Sequence, residues 1–139
     1  MRTFVAGLMA LWTEPIPDGA AGEAAFAEFY AAELTVNGAP FTLTQLVERA
    51  RGLHRAYSDI RAEVLQVVEA PGCVVVAFTM HVRHTGPLPT PFGELPATGR
   101  EAAARTIDIL TVRDMKITGI TVVSDELGLL NSLGALSLA

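Results

Sequence analysis

The stretch RTIDILTVRDMKITGITVV, residues 105–123, decides the fold. Its polar and apolar residues alternate with a period of two, the mark of half-buried strands. Over 105–113, Thr106, Asp108 and Leu110 fall on one face and Arg105, Ile107 and Ile109 on the other. Asp114–Met115 is a tight connection, and Lys116–Val123 continues as a second strand. The same period holds upstream. Ile60–Val68 and Cys73–His84 are rich in valine, isoleucine and threonine, and Pro71–Gly72 supplies the turn between them. The connection from Gly86 to Gly99 is long and carries Pro87, Pro89, Pro91 and Pro96. A loop of that length without secondary structure is uncommon in a compact domain, and its apolar Leu88, Phe92 and Leu95 suit a mobile lid.

Further upstream the period is helical. Thr42 and Gln45 stand at capping-box spacing, where the hydroxyl and the amide can satisfy two orphan backbone N–H groups. Leu43, Leu46, Val47, Ala50, Leu53, His54 and Tyr57 then share one arc of a helix, and Asp59 follows as a turn residue. Phe4, Val5, Leu8, Leu11 and Trp12 predict a first helix over residues 2–13, broken by Pro15–Gly19. A short second helix places Phe26, Phe29 and Tyr30 together, and Leu34–Asn37 is a brief strand ending at Gly38. A closing helix runs from Glu126 to Leu133, with Asp125 as its N-cap and Gly134 as its stop.

Helices first and a meander of long strands afterwards predict an α+β fold. A curved antiparallel sheet wraps around the long helix to form a cone with an internal pocket, an α+β barrel, and residues 1–139 make one domain.

Half of the residues are hydrophobic and 18% are charged. A deep apolar cavity and a buried subunit interface are two uses for that excess. Ile107, Ile109 and Val75 on the outer sheet face predict a homodimer. A net charge of −5 argues against a nucleic-acid partner. The lone Cys73 excludes an internal disulfide and suits a core thiol in a reducing, cytoplasmic compartment. No apolar run reaches membrane-spanning length, so no membrane partner is expected. Phe4–Trp12 after Arg2 has the apolar character of a signal-peptide h-region, but only one basic residue precedes it and it reads better as a first, mostly buried helix. Three scattered histidines predict no metal site, and no phosphate-binding glycine loop or other cofactor motif is present.

Several segments together resemble a known family. VRHTG at 82–86, PATGR at 96–100, IDILTVRDMKI at 107–117 and VVSDELGLLNSLGAL at 122–136 are similar to the SnoaL-like polyketide cyclases of the nuclear transport factor 2-like superfamily. YSDIR at 57–61 and VNG at 36–38 match the same pattern. The resemblance implies the cone fold and an apolar, polyketide-derived substrate bound without a cofactor. Members that close rings by an aldol step carry an acid–base aspartate on the last strand, and the alignment puts Val122 there. Thr121 stands where the family has tryptophan, Ile120 replaces a polar residue, and Met115 replaces a hairpin glycine.

Strand alternation, oriented by that pattern, points Val76, Phe78, Met80, Val82 and His84 into the pocket, with Thr106, Asp108 and Leu110 beside them. Thr118, Ile120 and Val122 complete that face. Asp108, between two isoleucines and facing an apolar cavity, is the leading catalytic candidate because desolvation raises a carboxyl pKa into a useful range. His84 is the second, at a strand end where imidazole could polarise a carbonyl. Phe78, Met80, Val82, Leu110, Ile120 and Val122 are candidate substrate contacts. Tyr30, His54 and Tyr57 join them from the helical half, and Phe92 from the lid.

Without an aspartate at 122, the leading reading is a cofactor-free cyclase that positions a polyketide-derived chain for pericyclic or conjugate-addition closure. The alternatives are an isomerase or hydrolase using a pocket carboxylate, or a non-catalytic binding protein. A pocket holding Asp108 together with a second polar group favours chemistry.

Overall fold

The computed structural model describes residues 2–138. Four helices and eight strands follow in the order α1 (Arg2–Thr13), α2 (Ala20–Ala27), β1 (Tyr30–Val36), β2 (Ala39–Thr42), α3 (Leu43–Ala56), β3 (Tyr57–Ala70), β4 (Cys73–His84), β5 (Leu88–Thr90), β6 (Gly93–Leu95), β7 (Glu101–Arg113), β8 (Lys116–Ser124) and α4 (Glu126–Ser132). Six strands form one sheet in the order β2-β1-β8-β7-β4-β3. Every neighbouring pair is antiparallel except β1 and β8, which are parallel. The α+β expectation holds, with this one parallel pair added.

Local chemistry sets the boundaries of α3. Thr42 Oγ1 accepts from the Gln45 amide at 3.1 Å, and Gln45 Oε1 accepts from the Thr42 amide at 2.9 Å, closing the capping box. The chain passes directly from α3 into β3, so Tyr57 opens a strand instead of ending a helix. Asp59 is not a turn between elements. It sits at φ 52 inside β3, where the pairing with β4 slips between Ser58 and Arg61.

Upstream, Tyr30 begins β1 and does not extend the second helix. Asn37 (φ 50) and Gly38 (φ 81) form the two-residue turn of a β1–β2 hairpin, the left-handed geometry that Asn-Gly adopts at least cost. Asp114 (φ 49) and Met115 (φ 65) make the equivalent turn between β7 and β8 without any glycine.

The core lies between the inner sheet face and helices α1, α2 and α3, with Leu8, Phe26, Leu46, Ala50, Val76 and Ile117 almost completely buried. Cys73 is only half-buried, at the β3–β4 hairpin end of the sheet. The 86–99 connection is not structureless: β5 and β6 pair as a small antiparallel flap. Its stems are tied down, Thr85 and Gly86 each donating to the Ala56 carbonyl at 3.0 Å and Gly99 to the His84 carbonyl at 2.8 Å. Among the described residues no helix is long and apolar enough to cross a membrane.

Candidate active site

A cavity of about 720 Å³ opens between α1, α3, the inner sheet face, the flap and α4. That volume suits a drug-sized apolar ligand. The strand register explains its wall. Val67, Val76, Asp108 and Val122 lie side by side across β3, β4, β7 and β8, so Asp108 is the single polar residue in a row of valines. The next row brings Phe78, Thr106 and Ser124 together, with Met80 and Ala104 beyond it. Asp108, Phe78, Met80, Thr106, Val122 and Ser124 all line the cavity. Burial among these neighbours lifts the Asp108 carboxyl from 3.8 to about 6.

Tyr30, at the start of β1 in the same sheet, also lines the cavity. Its phenol oxygen accepts from the Trp12 indole N–H at 2.8 Å, and among the described residues nothing accepts the tyrosine's own hydroxyl hydrogen. Burial holds that phenol well above its usual pKa; the Trp12 bond lowers it, and the Asp108 charge raises it further. The tyrosine is therefore a neutral donor at the same cavity, near enough to Asp108 to sense its charge. Tyr57, its phenol also pushed up by burial and then by the Glu126 charge, lines the mouth with Glu126 and Arg49.

Of the residues expected at the site, Asp108, Tyr30, Tyr57, Phe78, Met80, Val82, Ile120 and Val122 reach the cavity wall, and four do not. His84 shares the inner face of β4 but is fully buried at the strand end behind Tyr57, with their rings 5.9 Å apart. Its Nδ1 accepts from the Thr98 amide at 3.2 Å and contacts the Thr98 hydroxyl at 2.9 Å, so the ring holds the flap stem and does not face substrate. The Nε2 of that ring has no partner among the described residues. His54 Nε2 donates to the Trp12 carbonyl at 2.8 Å, tying α3 to α1. Leu110 is sealed in the core. Phe92 sits at the flap tip, 88% exposed, while Leu88, Pro89, Thr90 and Pro91 face the cavity instead.

Thr118 also departs from the expected face. The β7–β8 pairing slips between Thr111 and Val112, which leaves Thr118 as the extra residue. Ile117 turns inward as a result, and Thr118 hydrogen-bonds weakly to the Thr111 carbonyl at 3.5 Å.

The wall includes residues that the sequence did not mark for a site: Trp12 and Met9 from α1, Arg49 from α3, and Leu129 and Leu130 from α4. Asn37, expected at the end of a strand, forms the β1–β2 turn. Its further role is to accept the Val122 amide through Oδ1 at 2.8 Å, which clamps β8 beside Asp108. Among the described residues no group of three His, Cys, Asp or Glu side chains gathers as a metal site.

The family model for SnoaL-like polyketide cyclase matches residues 10–133. Among solved structures, TsrD from Streptomyces laurentii is similar over 97% of this chain and 95% of its own, with a TM-score of 0.81 and 20% identity. IdmH from Streptomyces antibioticus matches over 96% and 97%, with a TM-score of 0.75 and 18% identity. A SnoaL-like polyketide cyclase from Agrobacterium tumefaciens matches over 94% of both chains, with a TM-score of 0.74 and 18% identity. At these identities the likeness is one of fold. No curated protein matches the chain.

Proposed function

Because the chain belongs to the SnoaL-like polyketide cyclase family, we propose that it closes a carbocycle in an apolar polyketide-derived chain by conjugate addition, without a cofactor. The observation that carries this reading is the placement of Asp108 in a valine row, facing the cavity that Tyr30 also lines. The Asp108 carboxylate takes a proton from the carbon between two carbonyls. The resulting enolate carbon attacks the β-carbon of a conjugated ketone in the same chain, and the Tyr30 hydroxyl donates to the ketone oxygen as charge develops there. Protonated Asp108 then returns its proton to the new enolate, so substrate and product are isomers. The apolar wall adds orientation, which alone can remove several kcal/mol of barrier. The aldol aspartate that the resemblance places at 122 is thus replaced by a carboxylate directly across the strand pair, since Asp108 and Val122 are register partners.

The test is turnover of an acyclic apolar chain carrying a β-dicarbonyl and an enone, followed by loss of enone absorbance and formation of a cyclic isomer. Asp108→Asn lowers the rate at least about tenfold and abolishes its rise as pH passes about 6. A smaller effect, with cyclisation intact, sinks Asp108 as the proton carrier and leaves positioning. A second reading is favoured by the same carboxyl: with a pKa of about 6 it is mostly ionised at neutral pH and can act as an isomerase base with no ring formed. Protein-dependent deuterium exchange into 2-tetralone without any cyclisation selects that reading.

A further inference from the structure

We infer that the Thr106–Ser124 hydroxyl pair is a second oxygen-binding subsite, so that the cavity selects a substrate carrying two oxygen functions several carbons apart. The inference deepens the cyclase reading and rests on it for the identity of the first oxygen. Thr106 and Ser124 are register partners on β7 and β8, both line the cavity, and their hydroxyl oxygens lie 3.0 Å apart. Neither hydroxyl has another partner among the described residues. A hydroxyl pair holds two hydrogens, and one is consumed between the two oxygens. The other remains to donate into the cavity, with lone pairs beside it to accept.

The surroundings make this pair conspicuous. Phe78 flanks it on β4, Val76, Asp108 and Val122 occupy the row on one side, and Ala104 and Met80 the row on the other. The backbone ladder between β7 and β8 already joins the strands, so valine and alanine would fill these two positions without loss to the sheet. Two hydroxyls turned toward an apolar cavity cost desolvation unless something there bonds to them.

Spacing defines the ligand. Thr106 and Asp108 are two residues apart on one strand face, which separates them by about 7 Å. The oxygens of a β-dicarbonyl flank the carbon held at Asp108 too closely to reach the hydroxyl pair. An oxygen at the far end of a bicyclic skeleton, or of a folded chain of similar size, can reach it.

The experiment titrates the protein with two fluorescent probes, 2-naphthol and 2,7-dihydroxynaphthalene, which share a skeleton and differ by the second oxygen. The diol gains twofold from its symmetry alone. Beyond that, one added hydrogen bond gives a preference of about threefold to tenfold in the unaltered protein. Thr106→Val and Ser124→Ala each return the preference toward the symmetry factor while 2-naphthol affinity stays within about twofold, which also shows that each variant is folded. The inference is overturned if the unaltered protein shows no preference beyond symmetry, if both variants retain it, or if neither probe binds. Asp108→Asn and Tyr30→Phe separate the two ideas. If they keep full turnover while the diol preference persists, the proposed chemistry fails and the subsite stands.

Discussion

At the level of single residues, the site depends on what surrounds a few polar groups. Asp108 was legible because alternation over 105–113 puts it on the face shared with Thr106 and Leu110, and the register sets it among valines. The pairing of Trp12 with Tyr30 was not, because it joins a helix to a strand 18 residues away and neither residue type announces a partner. His84 shows the reverse error. Parity along β4 is correct, but the ring lies beyond the cavity's edge and holds the flap stem. Raising the Asp108 pKa has a consequence for stability with a definite sign. The folded protein holds this proton up to about pH 6, whereas the unfolded chain releases it near 3.8. The group's contribution is therefore full below pH 4 and is lost as pH rises through 6. The Asp108→Asn protein should gain on the unaltered protein by about 2 kcal/mol between pH 4.5 and 7.5 in denaturant titrations. A constant difference across that range would rule out the buried-carboxyl account.

At the level of elements, the long strands were readable and their irregularities were not. A period of two marks β4, β7 and β8, but the bulge at Thr118 reverses the inward face of β8 toward its start. Gly119 beside the slip is its one local sign, and the slip itself follows from how β8 must pair with β7 and β1 together. The flap is a similar case. Length and apolar residues suggested a mobile lid without secondary structure; in the fold β5 and β6 pair, and the stem is bound to α3 through the Ala56 carbonyl. Gly86 is required there by proximity, since a Cβ would lie 1.8 Å from the Arg55 carbonyl oxygen. Gly86→Ala must push the stem off α3, and it should cost about 1–3 kcal/mol in thermal or denaturant unfolding. Unchanged stability would show that the stem is not held against α3.

At the level of the whole molecule, the sheet has one face turned to the cavity and another left in water. On the outer face Val68, Val75 and Ile109 form one row, and Ala77, Ile107 and Val123 the next. Ile107 and Ile109 remain 45% and 43% exposed, and Val123 69%. A contiguous apolar patch of this kind fits a two-fold interface, in which the same rows meet across the axis. The protein should run as a dimer of about 29 kDa in light scattering, twice the 14.7 kDa chain, and Ile109→Glu should give a monomer that retains its helix and strand signals. A monomer at micromolar concentration in the unaltered protein contradicts this arrangement.

The sequence by itself determined the fold class, the long helix, the four long strands and the carboxylate on the inner face. The elements follow from periodicity and capping, which act over a few residues, and the inward face of Asp108 from alternation oriented by the family resemblance. Only the tertiary structure decided which polar groups meet. The Trp12–Tyr30 bond, the Thr106–Ser124 pair, the clamp of Asn37 on Val122 and the withdrawal of His84 each join segments distant in the chain. Their physical cause is register and curvature. A shift of one residue in pairing exchanges the inner and outer faces of a strand, and local propensity carries almost no information about such a shift.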